Sequence, residues 1–142
     1  MSKFPTTGIK SSRTILVTER LSVPHLGDPF DGLERMPPVF ATPFLIAFIE
    51  WTCICAVQPN FDADQFSVGT HVDVRHLAAT SVGMNVHADV ELVSVEGAKL
   101  KFDVLCRDDK EVIAKGFHQR FIVKRSAFDR GIADKIASLA NT

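Results

Sequence analysis

No run of lysines or arginines occurs along this chain, and its formal net charge is −1. A nucleic-acid partner is therefore not expected, because neutralising phosphates needs a concentrated basic surface. Cysteine is scarce. Cys53, Cys55 and Cys106 form an odd set in a chain long enough to fold without covalent staples, and they are expected as reduced thiols in a cytoplasmic protein. Cys53 and Cys55 are two apart on an expected helix, so they point to nearly opposite sides; neither a metal site nor a cofactor is expected. The stretch from Met1 to Ser12 is polar and lacks the apolar core of a signal peptide. It is expected as a flexible terminus before one domain spanning 13–142. The chain also lacks the nucleophile elbow G-x-S-x-G, the P-loop and the dinucleotide glycine motif.

What is present is apolar patterning at the level of a globular domain, with 46% hydrophobic residues. A strand is expected from Arg13 to Val23. A Pro- and Gly-rich stretch, His25 to Pro38, then excludes a regular element, yet it carries Leu26, Phe30, Leu33 and Met36. Such a segment either lids a pocket or packs over the core. Thr42-Pro43 reads as an N-cap followed by a first-turn proline. The run Phe44 to Val57 is apolar on every face, which predicts a helix buried all round. It reads as too short to span a bilayer and holds a carboxylate at its middle, so no membrane partner is expected. Four strand-like runs follow: Ser67 to Ala79, Met84 to Val95, a run built on Leu100, Phe102, Val104 and Cys106, and Glu111 to Val123. Ser126 to Leu139 predicts an amphipathic helix. Strand, lid, buried helix, four antiparallel strands and a last helix make an α+β hotdog arrangement, a sheet of about five strands wrapped around one long apolar helix. The pattern D-x-x-x-x-H, associated with hotdog hydratases and dehydratases, is absent.

The candidate chemistry shows as polar exceptions to the apolar pattern. Glu50 is the lone charge between Phe44 and Val57. Burying it unpaired is costly, so it is either a paired structural carboxylate or a group beside a cavity. Alternation places Val68, Thr70, Val72, Val74, His76 and Ala78 on one strand face and Ser67, His71, Asp73 and Arg75 on the other. His76 thus continues the inward row, as a satisfied core histidine or as a general base. His118 and Arg120 share a face with Val112, Ala114 and Ile122, where an arginine partners a carboxylate or holds an anion.

The stretch VFATPFLIAFIEWTCICA from Val39 to Ala56 resembles the fluoroacetyl-CoA thioesterase family. So do VGTHVDVRHLAAT, VELVSVEGAKLKFDV and GFHQRFIV, in the same order. The resemblance implies a hotdog homodimer that hydrolyses short acyl-CoA thioesters, with Thr42, Glu50 and His76 doing the chemistry. It further implies that Gly69 lies near the thioester carbonyl and that Arg120 holds the carboxylate or acyl end. Where the family's fluoroacetyl-specific enzyme caps its pocket with phenylalanines, this chain has Leu33 and Met36, so its lid is apolar without an aromatic gate. Thr42 and Glu50 are eight residues apart, roughly 12 Å of helix rise. A site that uses both is more easily built across a two-fold interface. A hotdog module that binds an acyl-CoA or small hydrophobic ligand without turning it over is the alternative reading, and a purely structural dimerisation domain is another.

Overall fold

A computed structural model describes residues 4–140. Five antiparallel strands, β1 (Lys10–Leu16), β2 (Gln65–His76), β3 (Asn85–Glu96), β4 (Lys99–Asp108) and β5 (Val112–Lys124), form one sheet in the order β1-β3-β4-β5-β2. Helix α1 (Thr42–Val57) lies against its inner face, and α2 (Arg125–Leu139) follows β5. The expected architecture holds. The alternation read in β3 and β4 is the one that packs: Val86, Ala88, Val90 and Leu92 meet Leu100, Phe102, Val104 and Cys106 in the core under α1.

The first strand is displaced from its expected place. It starts at Lys10, within the stretch read as flexible, and pairs Lys10 to Ser12 with Glu91 to Asp89 of β3. It ends at Leu16, short of the expected Val23. Beyond it the chain folds into two short 3-10 helices, Glu19–Leu21 and Val23–Leu26, the second with Pro24 in its first turn. Apolar residues at every second position also suit such turns, so periodicity alone could not tell them from a strand. Residues 1–3 lie outside the described residues. The Pro- and Gly-rich stretch likewise contains a 3-10 turn, Leu33–Arg35.

Helix α1 is not covered all round within one chain. Leu45, Phe48, Ile49, Thr52, Cys53 and Val57 are buried against the sheet, while Trp51 on another side is 42% exposed. A single sheet can cover one side of a helix only. Together α1 and the turn after it, Thr42–Asn60, have the length and apolar content to cross a membrane, contrary to the length argument from sequence. Of that span 39% is buried, on the side that packs against the sheet. The stripe Phe128, Ile132 and Ile136 of α2 stays largely exposed, with Phe128 edge-on to Phe66 at 5.3 Å.

Candidate active site

The helix begins one residue earlier than a Thr42 cap would allow. Ala41 is the N-cap, and Thr42 is already helical. Its hydroxyl does not cap α1; instead Oγ1 lies 2.8 Å from Nδ1 of His76, at the far end of β2. This pair sits in a cleft of about 370 Å³ lined also by Val23, Val39, Phe40, Leu77, Ala78 and Ala79. Burial holds the His76 pKa below the ordinary 6.5, with the Ala78 backbone pulling the other way. Its Nε2 is buried with no hydrogen-bond partner among the described residues. A neutral imidazole of this kind, with one nitrogen on a hydroxyl, is suited to take up a proton.

The second cluster forms at the middle of α1. Arg120, on β5, donates from Nη1 to Glu50 Oε2 at 2.9 Å. Its Nε donates to Ser67 Oγ at 2.7 Å, and its Nη2 to the Ser67 carbonyl at 2.8 Å. His118 is fully buried and completes the group, its Nε2 3.0 Å from Arg120 Nη1 and its Nδ1 2.8 Å from the His71 carbonyl. Burial is the main cause of a lowered His118 pKa; the bond to the His71 carbonyl opposes it and the Arg120 charge adds to it. Glu50 is paired and yet reachable, its side chain 37% exposed. Gly69 faces this cluster. A Cβ there would stand 2.5 Å from Glu50 Oε2, so only glycine leaves the carboxylate its place.

Ser67 was read on the outer face and Val68 on the inner one; the structure reverses both. The β2–β5 register pairs Gly69 with Arg120 and then His71 with Gln119, leaving Thr70 as an extra residue. One inserted residue inverts the alternation. Ser67 and Gly69 before the bulge therefore face inward together with Val72, Val74 and His76 after it, opposite Ile122, Arg120, His118, Gly116 and Ala114. The hydroxyl and carbonyl of Ser67 thereby become acceptors that sequence alternation hides. His118 stood out on the inward row of β5, but its bond to Arg120 needs the folded register to be seen.

Within one chain the two clusters stand apart. Gly69 and His76 are seven residues apart on β2, roughly 20 Å of extended strand. Leu33 and Met36 do not line the cleft beside His76, and Met36 is 48% exposed. Cys53 and Cys106 are not nucleophiles, because burial pushes both thiols up to about 12. Among the described residues no group of His, Cys, Asp and Glu is arranged to hold a metal ion.

A sequence profile described as fluoroacetyl-CoA-specific thioesterase (FlK) matches residues 26–126. The fluoroacetyl-CoA thioesterase of Streptantibioticus cattleyicolor is 32% identical over 128 residues, covering 90% of this chain and 92% of the relative. A solved structure of the fluoroacetyl-CoA thioesterase FlK superposes with a TM-score of 0.89 at 31% identity, over 92% of this chain and 97% of that one. A thioesterase superfamily member from Thermus thermophilus, 20% identical, superposes with a TM-score of 0.87 over the full length of both chains, which shows the fold alone. Glu50 tethered by Arg120 and Thr42 bonded to His76 thus stand in a hotdog frame shared with an enzyme of known class, and the chain belongs to the fluoroacetyl-CoA-specific thioesterase family of thioester hydrolases.

Proposed function

We propose that the protein is a homodimer that hydrolyses short-chain acyl-CoA thioesters at sites shared between its two chains. One chain gives Thr42 and His76, the other Glu50, Gly69 and Arg120. The observation that carries this reading is the separation of the two clusters along β2, a strand paired on one side only. Antiparallel pairing of two β2 strands about an axis near their middle brings Gly69 of one chain alongside the partner's His76. Such an axis, normal to the sheet, keeps both inner faces on the same side. The side of α1 left uncovered within one chain is consistent with a second chain.

In this site the Glu50 carboxylate takes a proton from the attacking water as the new carbon–oxygen bond forms. A backbone N–H of β2 near Gly69 receives the developing negative charge. The carbon–sulfur bond breaks, and the proton that Glu50 took from water passes to the leaving CoA sulfur by way of the Thr42 hydroxyl and His76, which end the cycle as they began it. Arg120 has four of its N–H groups engaged by Glu50, His118 and Ser67. It therefore aims the carboxylate instead of binding the acyl end. Leu33 and Met36 close over the acyl group of the assembled site. A thiol-release assay across acetyl-, fluoroacetyl-, propionyl- and longer acyl-CoA substrates tests the reading. Turnover confined to the small acyl groups is expected; turnover favouring long chains, or none on any small acyl-CoA, contradicts it.

A further inference from the structure

The geometry points to His118 as a positioning residue: a buried imidazole, locked in one tautomer, that aims Arg120 and through it Glu50. The inference rests on the reading of Glu50 as the catalytic carboxylate. His118 is itself out of reach of substrate, being 0% exposed, with its Nε2 4.0 Å from Glu50 Oε2. Its two nitrogens have complementary partners. The His71 carbonyl can only accept, so Nδ1 carries the proton; Arg120 can only donate, so the Nε2 lone pair faces Nη1 at 3.0 Å. The other tautomer, or a charged imidazole, would set N–H against N–H.

An apolar residue would fill this place on the inward row of β5 as readily as Ala114 and Ile122 fill theirs. It would leave the same guanidinium nitrogen that holds Glu50 with one buried donor unsatisfied. The Nη1 group would then be free to turn toward another acceptor and carry the carboxylate with it. Gly69 serves the same arrangement from the opposite strand. A Cβ there would stand 3.2 Å from His118 Cε1 and 3.3 Å from Arg120 Nη1. The charged and titratable groups that act on His118 are Arg120 from its own strand, Glu50 from α1 and, from the other face of the sheet, His71 of β2.

The test compares His118→Leu, His118→Gln, Ser67→Ala and Glu50→Gln in the full chain by steady-state thiol release, alongside melting temperatures. His118→Leu is expected to lower kcat by about tenfold or more with KM within about twofold, the signature of a lost transition-state alignment. His118→Gln, whose amide oxygen can accept from Nη1, is expected to recover most of kcat at a similar melting temperature. Wild-type kcat in a folded Leu variant overturns the inference, and so does a Gln variant no better than Leu at equal stability. Where the Leu variant does not fold, Ser67→Ala decides. Removing the Nε acceptor should give the same kcat-selective loss, and unchanged kcat there overturns the tether. Activity retained in Glu50→Gln removes the underlying reading and the inference with it. An inactive Glu50→Gln beside a fully active His118→Leu removes the positioning role alone.

Discussion

At the scale of single residues, the groups proposed to do the chemistry are polar atoms placed where the chain otherwise packs apolar ones. Replacing Glu50 with Gln keeps the shape and an acceptor for Arg120 but removes the base; turnover should fall by about two orders of magnitude or more, with the fold intact. His76→Ala should do the same. Thiol-release kinetics beside circular dichroism check both, and wild-type turnover in either variant would remove that residue from the mechanism. Gly69→Ala is a sharper probe, since its Cβ would contact Glu50 Oε2 at 2.5 Å. The carboxylate has to move, so kcat should drop while far-UV ellipticity stays unchanged. Glu50 and His76 were legible in the sequence because each interrupts an apolar row. Ser67 was not, because the Thr70 bulge inverts the alternation on which that reading depended.

The same two histidines give the fold a pH dependence. His76 and His118 are both held below the ordinary 6.5 by burial. Above 6.5 both are neutral in the folded and the unfolded chain, and their contribution to stability is fully present. As pH falls through their lowered folded-state values, the unfolded chain binds protons more readily and that contribution is lost. Melting temperature should therefore decline on acidification from neutrality, and His118→Gln should flatten part of the slope. An unchanged slope in that variant would show that His118 does not titrate with folding.

Among the elements, α1 carries both clusters and the core, with Thr42 at its start, Glu50 at its middle and Ile49 buried beneath. Ile49→Ala should cost about 2–5 kcal/mol, measured by urea unfolding, because the sheet below cannot collapse into the space. The lid is a separate matter. Leu33 and Met36 stand clear of the cleft within one chain, and the gate proposed for them is one of the assembled dimer. Leucine and methionine make a looser gate than phenylalanine. The protein should therefore accept several small acyl groups with weak preference for fluorine over hydrogen, and replacing both residues with phenylalanine should narrow the range. The ratio of kcat/KM for fluoroacetyl-CoA and acetyl-CoA in the two forms is the measurement; a strong fluoroacetyl preference in the unmodified chain would place the selectivity elsewhere. Strands β3 and β4 were readable because each buries one face and repeats strictly. Strand β1 was readable only over Arg13 to Leu16, since its edge residues Lys10, Ser11 and Ser12 carry no apolar signal.

For the whole molecule, the central claim is that each site draws on two chains. A mass near twice 15.6 kDa by light scattering at micromolar concentration is the first expectation, and a monomer would contradict it. Thioester hydrolase class comes from the relatives and not from the geometry, since paired buried polar groups would also suit a binding module. The most direct test is complementation. His76→Ala and Glu50→Gln chains, each inactive as a homodimer, are co-expressed under different affinity tags and the mixed dimer is purified. If Thr42 and His76 work with Glu50 of the other chain, one site of the mixed dimer keeps every group, and turnover per dimer should reach about half the wild-type value. A mixed dimer as inactive as its parents would mean that each site is built within one chain.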